Sequence, residues 1–235
     1  MIYKKICNGA LFVTSIFVFV TWSWIDISNL GYFDNKIITT IIEMVLKFIS
    51  AFGFFSIIVS ITAYILVKIP LLKKIIFGSS YFEGRWVGYY VAPSDNAHVI
   101  FYHIIEQNID YTNISTWSYN VSDMSFRGLW DTTSEVSINI KKSEMSYLYE
   151  FDGINPSKHT HGMFTGKYFK EGIFKIPCRM TGHGYNSESH TKFLTETRKI
   201  SHSTIMNNND KSRFLQEAHD FYNNEVLKHE QNNVS

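Results

Sequence analysis

Two long apolar segments dominate the first third of the chain. Residues 6–25 and 48–67 contain no charged side chain, and each run is about 20 residues long. A helix of that length rises about 30 Å, which is the thickness of a bilayer's hydrocarbon core. Residues 22–26 offer no small-residue cleavage site, so we interpret the first run as a retained helix and not as a signal peptide. The pattern predicts two transmembrane helices, over about residues 6–25 and 45–69.

Lysines flank this pair of predicted helices and set its orientation. Lys4 and Lys5 precede the first helix, while Lys68, Lys73 and Lys74 follow the second. Loops rich in lysine stay on the cytosolic side of a membrane. We therefore expect a multi-pass protein of a bacterial inner membrane, with both termini in the cytosol.

From residue 81 onward the hydrophobic period changes to two. The alternation is clearest over Gly84–Tyr90 and Val99–Ile109, and further short segments of the same kind follow up to residue 199. Short segments of period two with no helical period between them predict an all-β antiparallel fold, either a barrel or a sandwich. We expect a lipocalin-like barrel of about eight strands, because a closed barrel leaves no unpaired edge.

The end of the chain is polar and carries one further helical pattern. A breaker, Asn207–Asp210, precedes a segment in which Phe214, Ala218 and Phe221 recur on one face. An apolar stripe of this spacing predicts a short C-terminal helix that packs on another element. The sequence thus divides into three parts, which are two helices with a linker (1–78), a cytosolic barrel (79–200) and a polar tail with one helix (201–235).

Charge and motif content exclude several functions. Residues 1–80 have a net charge of +4 and the remainder has a net charge of −3, so the cytosolic part is not typical of DNA-binding or RNA-binding proteins. Cys7 and Cys178 cannot form a disulfide framework, which agrees with a reducing compartment. The chain has no nucleophile elbow, no phosphate loop and no usefully spaced carboxylate pair. We therefore expect a protein that is not an enzyme.

Two histidines are the best candidates for a metal site. His159 and His161 are two residues apart on a predicted strand, so they share one face, as a metal-binding pair requires. No Cys/His module with the spacing of a zinc site accompanies them. The sequence alone therefore predicts neither a metal nor a cofactor.

A ligand-binding barrel is the remaining interpretation. Small eight-stranded barrels hold one small molecule in the interior or the mouth. Trp117 and Tyr149 are among several aromatic residues on the predicted strands, and aromatic faces stack on nucleobases. Two alternatives stay open: a membrane-anchored barrel that binds a lipid or a small hydrophobic metabolite, and a structural anchor that recruits a partner through the C-terminal helix.

The order of the motifs is more specific than any one of them. After the two apolar helices come Gly84-x-Trp86-x-Gly88, Gln107, Tyr147-Leu-Tyr149, His159-Thr-His161-Gly162 and Gly182-His-Gly-Tyr185. Over about residues 1–200 this succession resembles the SMODS-associated, two-transmembrane, β-strand-rich effectors of CBASS anti-phage systems.

The resemblance implies a function and a set of site residues. In that family the barrel binds a cyclic dinucleotide made by a cognate CD-NTase, the protein oligomerises, and its helices disrupt the inner membrane in abortive infection. The matching positions here are Trp86, Gln107, His161 and Tyr185. The arginine that often follows the matching tyrosine is missing after Tyr185, and Arg127 is our substitute for it. The expected partners are the cyclic dinucleotide, the bilayer and further copies of the chain.

Overall fold

The structure is a computed structural model that describes residues 2–21, 36–108, 111–154, 159–187, 190–204 and 210–233. These residues form two compact units, residues 1–76 and 77–235. The first unit is helical. The second contains the strands and the C-terminal helix.

Helices of the first unit follow the two apolar segments. The helices are α1 (Ile2–Thr21), α2 (Lys36–Lys68) and α3 (Pro70–Phe77). Within α2, the 26 residues Thr40–Ile65 have a mean hydropathy of 2.1, so they are long and apolar enough to cross a bilayer. The apolar part of α1, Cys7–Val20, is shorter. One spanning helix is thus supported, whereas the first span, whose end at residues 22–25 lies outside the described ranges, stays a prediction.

The first two helices pack against each other through small and aromatic residues. Ala10 and Thr14 of α1 are buried, and the ring of Phe17 stacks on that of Phe54 at 3.9 Å between centroids. The Ser56 hydroxyl donates a hydrogen bond to the Phe52 carbonyl 3.0 Å away. This bond satisfies the hydroxyl inside its own helix, as an apolar environment requires.

The second unit is built on nine antiparallel strands. They are β1 (Gly84–Val91), β2 (His98–Gln107), β3 (Thr112–Asn120), β4 (Phe126–Thr132), β5 (Ser137–Asn139), β6 (Glu144–Gly153), β7 (His159–Glu171), β8 (Ile176–Asn186) and β9 (Thr191–Ser201). Eight of them pair in the ring β1-β2-β3-β4-β6-β7-β8-β9, and β9 pairs back with β1. The short β5 pairs with the first residues of β6. The predicted antiparallel barrel of about eight strands is therefore confirmed.

The barrel interior is filled largely by aromatic side chains. Alternate residues of each strand point inward, and the largest buried ones are Phe82, Trp86, Tyr90, Phe101, Trp130, Tyr147, Tyr149, Phe164, Tyr168 and Phe193. Several inward positions are glycines, and most of them let a ring from a neighbouring strand lie directly on the backbone. Gly162 lies under Tyr149 and Gly184 lies under Phe193 in this way. An eight-stranded barrel is just wide enough for side chains to fill, and here they leave little free volume.

One end of the barrel is closed where the chain enters β1. The Trp86 indole is completely buried, and its Nε1–H donates to the Phe82 carbonyl oxygen at 2.9 Å. Gln107 lies at the same end: its Oε1 accepts from the Phe82 N–H at 2.9 Å and its Nε2 donates to the Ser80 carbonyl at 2.8 Å. These bonds close this end of the barrel.

Helix α4 (Asp210–Asn233) packs on the outside of the barrel. Its apolar stripe, Phe214, Ala218 and Phe221, is buried against the outward-facing residues of β1, β2 and β3. Arg85 of β1 contacts the beginning of the helix: its guanidinium lies 3.3 Å from the Asp210 carboxylate and 4.3 Å from the centroid of the Phe214 ring. The predicted C-terminal helix is confirmed, and it packs on the face that its stripe indicated.

Candidate functional site

A small cavity lies at the end of the barrel opposite Gln107. Its volume is about 100 Å³. The lining residues come from the ends and beginnings of strands around the ring: Tyr90, Ala92, Pro93, Ser94, Arg127, Trp130, Tyr149, Phe151, Thr160, Asn186 and Phe193. Five of these eleven residues are aromatic, and four have polar side chains.

A stacked aromatic pair forms one side of the cavity. The rings of Trp130 and Tyr149 lie 5.2 Å apart at an interplanar angle of 15°. Trp130 is only 7 % exposed, yet its Nε1–H has no hydrogen-bond partner among the residues that the structure describes. Buried donors are almost always paired with protein or with ordered water. The nitrogen itself has almost no accessible surface, so an acceptor atom would reach it only after the indole or a neighbouring side chain moves.

Tyr149 is held in place by its neighbours on two strands. Its hydroxyl donates to the Tyr185 carbonyl oxygen at 3.2 Å. A side chain on Gly162 would overlap the Tyr149 ring, so the glycine is what permits this position. Burial raises the pKa of Tyr149, so the phenol stays protonated and acts as a donor at neutral pH.

Among the described residues that line the cavity, Arg127 alone has a charged side chain. Its guanidinium donates to Asn120 Oδ1 at 3.0 Å, to Asp95 Oδ1 at 3.0 Å and to Ser94 Oγ at 3.3 Å. Partial burial works to raise the pKa of Asp95, but the Ala97 N–H and the Arg127 charge outweigh it and lower that pKa. The contacts fix the guanidinium at the mouth, where it forms an ion pair with Asp95, so an anionic group of a ligand would have to replace that carboxylate or share the guanidinium with it.

The six residues predicted from the sequence fall into three places. Arg127 and Tyr149 line the cavity. Gln107 is at the closed end, where backbone groups of residues 80 and 82 occupy its amide. The side chains of Trp117, His161 and Tyr185 lie on the outside of the barrel.

Each of the three outer residues has a different environment. Trp117 stacks on Tyr102 at 5.0 Å between centroids, beside the face that α4 covers. His161 is exposed, and the Tyr185 hydroxyl is 3.0 Å from His190 Nδ1. A ligand inside the cavity would reach none of these side chains. Tyr185 contributes to the wall through its carbonyl oxygen, which holds Tyr149.

The predicted site residues did not include Trp130, Phe193 or Asn186 of the wall, and the sequence indicated Trp130 only as one of several aromatic residues on the strands. A signal for two of them is present in the strand period. Trp130 follows Gly128 by two residues, and Asn186 follows Gly184 by two, so each shares the face of an inward-pointing glycine. Glycines that accept aromatic rings mark the inner face of a small barrel.

A second polar cluster lies on the outer face beside the mouth. His159 Nε2 is 2.6 Å from Glu150 Oε1, and His159 Nδ1 is 2.5 Å from Asp152 Oδ1. His161 Nδ1 is 3.8 Å from the same Glu150 oxygen. The hydrogen bond to Asp152, with the charge of Glu150, raises the pKa of His159. The cluster combines two imidazoles and two carboxylates on two adjacent strands.

Comparison with known proteins gives no match: no protein-family model, no curated protein and no solved structure is similar to this chain. A proposal for the function therefore rests on the barrel, its cavity and the apolar helix α2.

Proposed function

We propose that this chain is a membrane-anchored receptor for a cyclic dinucleotide, and that it acts as an effector of the CBASS type that its motifs resemble. The observation that carries the proposal is the mouth of the barrel. There the unpartnered Trp130 indole N–H lies beside the stacked Tyr149 ring, and Arg127 supplies one fixed cation. Aromatic faces and an arginine are the groups that bind a base and its phosphate.

The size of the cavity limits how much of a ligand it holds. Pockets for drug-sized ligands measure about 300–1,000 Å³, whereas this cavity measures about 100 Å³. One base would enter against Trp130 and Tyr149, with an acceptor atom on the Trp130 N–H. The sugar–phosphate ring would stay at the rim, where one phosphate pairs with Arg127.

The filled interior argues against the lipid alternative. An acyl chain needs a deep apolar tunnel, but below the mouth the rings of Tyr147, Phe164 and Trp86 are buried in one continuous core. Arg127 also suits an anionic ligand with a compact ring better than a neutral hydrophobic metabolite, because a phosphate can take the place of the Asp95 carboxylate that now pairs with it. The nucleotide is the ligand that the mouth favours.

The helices supply the effector function in this proposal. Both α1 and α2 cross the inner membrane, and both termini are cytosolic. Two helices per chain cannot line an aqueous lesion, because their backbone groups are already paired and few polar side chains are present. Damage therefore requires many copies, and the ligand promotes their assembly by binding the assembled form more tightly.

Ligand-dependent thermal stability of the full chain in detergent tests the receptor function. A ligand at 100 times its Kd that binds only the folded state stabilises it by about 2.7 kcal/mol. We expect one member of a cyclic-dinucleotide panel to raise the Tm. Replacing Trp130 with Phe keeps the ring and removes the donor, which should weaken binding about 2- to 12-fold, because a net hydrogen bond is worth about 0.5–1.5 kcal/mol. Arg127→Ala should weaken it more.

Two matched controls accompany these variants. Trp117→Phe makes the same change on the outside of the barrel, and Arg179→Ala removes an arginine that pairs with Glu196 and Glu225 away from the cavity. Neither should change the affinity. If fatty acids raise the Tm and no cyclic nucleotide does, the chain is a lipid binder and the proposal is wrong.

A further inference from the structure

The outer face of β6 and β7 carries a cluster that the proposed ligand site does not use. His159 and His161 alternate with Thr160 on β7, while Glu150 and Asp152 alternate with Phe151 on β6. Phe151 and Thr160 line the cavity, so the four polar side chains occupy the opposite face of the same two strands. The register places Glu150 opposite His161 and Asp152 opposite His159.

We propose that Glu150, His159 and His161 bind a divalent transition-metal ion. One ligand atom from each residue lies within 4.8 Å of the other two, so small side-chain rotations would bring all three to one ion. Two imidazole nitrogens and one carboxylate oxygen are donors that suit Zn²⁺, Ni²⁺ or Cu²⁺, whereas Mg²⁺ and Ca²⁺ prefer oxygen alone. With three protein ligands, the exposed side of the ion is left to water.

Asp152 supports the proposed metal site because it contacts the ring nitrogen of His159 that faces away from Glu150. Its Oδ1 is 2.5 Å from His159 Nδ1, so the other ring nitrogen, Nε2, faces Glu150 and the proposed ion. Histidines that ligate metals almost always donate their second nitrogen to a carboxylate, a carbonyl or water, and this bond fixes the ring.

The site would link two strands of the cavity wall. In the metal-free geometry a hydrogen bond from His159 Nε2 to Glu150 Oε1 already joins β6 to β7. A bound ion would replace it with a linkage that also includes His161. The inference does not depend on what the cavity binds, because none of the three ligands lines it.

Metal binding is measured with the full chain in detergent, purified through a tag without histidine and stripped with a chelator. Titration with Zn²⁺ alone should give one binding event per chain and a rise in Tm, since the ion binds the folded state. Co²⁺ in the same site should show visible absorption bands of tetrahedral or five-coordinate nitrogen and oxygen ligation. Mg²⁺ should bind at least 100-fold more weakly than Zn²⁺.

His161→Ala should weaken Zn²⁺ binding at least tenfold and abolish the rise in Tm, while its Tm in chelator stays at the wild-type value. His183→Ala is the matched control, because His183 is also an exposed strand histidine but lies outside the cluster. Equal Zn²⁺ affinity of wild type and His161→Ala, or no Zn²⁺ binding by wild type at all, would overturn the proposal.

Discussion

His103 is a titratable side chain buried in the barrel interior, and its burial changes its pKa. The imidazole is 2 % exposed, and its Nδ1 is 2.5 Å from the Thr116 hydroxyl oxygen. Burial lowers the pKa of His103 to about 3 because the charged form loses its hydration. The side chain is therefore neutral at physiological pH, and its contribution to stability depends on pH.

The sign of that dependence follows from proton counts. Between pH 6.5 and about 3 the unfolded chain protonates His103 and the folded chain does not, so acid favours unfolding. The cost is about 1.4 kcal/mol per pH unit below 6.5. Chemical denaturation at pH 7.5 and 5.5 should show that His103→Gln loses about 1 kcal/mol less on acidification than wild type. An equal loss in the two proteins would show that His103 does not titrate in this way.

Trp117 and Trp130 show that the sequence pattern does not predict whether a buried side chain points into the barrel or out of it. The period of two identifies a buried face on a strand, but it does not say what buries that face. Trp117 and Trp130 both sit on apolar faces. Trp130 points into the barrel, whereas Trp117 points outward beside α4. Because α4 covers part of the outside of the barrel, apolar residues occur on both faces of some strands. Of the six predicted site residues, only Tyr149 and Arg127 therefore line the cavity.

At the scale of elements, the packing of neighbouring strands requires glycine wherever an aromatic ring of the next strand lies on the backbone. Gly184 of β8 lies opposite Phe193 of β9, and a Cβ on the glycine would overlap that ring. Gly184→Ala should therefore destabilise the barrel by about 1–3 kcal/mol, the usual cost of overpacking a filled core. Phe193→Leu in the same chain should recover part of the loss. Denaturant midpoints of wild type, both single variants and the double variant measure the coupling.

The double-mutant cycle of Gly184→Ala and Phe193→Leu can also contradict this prediction. If the two losses simply add, the ring and the glycine do not compete for the same space, and Gly184 is required for another reason. Phe193→Leu alone serves as the control, because it removes the ring without adding any atom at Gly184.

Most elements were predictable because their signals are local. Period two gave the strands, and the stripe of Phe214, Ala218 and Phe221 gave α4 together with its buried face. The predicted end of the second helix near residue 69 agrees with the structure, since α2 ends at Lys68 and α3 begins at Pro70, which cannot continue a preceding helix. The ring closure between β1 and β9 is a contact between distant residues, and it followed only from the argument that a small barrel avoids edges.

At the scale of the molecule, the sequence predicted a barrel and a membrane segment but not the capacity of the site. Cavity volume is what remains after all inward side chains are packed, and no single position records it. Of the two places expected for a ligand, the interior and the mouth, the volume of about 100 Å³ favours the mouth for the ligand that we propose. The first span also stays a prediction, because the apolar part of α1 is only 14 residues long.

The proposed assembly of helices can be tested at Gly53 of α2. The residue is exposed, and a Cβ placed there would meet no atom within 4 Å. Leucine should therefore fit a single chain and favour its helix, because glycine is about 1 kcal/mol less favourable than alanine in a helix interior. Exposed small residues, however, are what allow helices of separate copies to approach closely in a membrane, and Ser56 and Ser60 lie on the same side of α2.

If copies assemble through this face, Gly53→Leu should abolish dye entry into cells that contain the cognate nucleotide synthase. The rise in Tm with ligand should persist, because the barrel is unchanged. Ile57→Leu, at another exposed position of α2, conserves bulk and should leave dye entry intact. Dye entry at the wild-type rate in Gly53→Leu cells would exclude close contact at this face. Loss of both dye entry and the Tm response would instead indicate that the helices and the barrel fold as one unit.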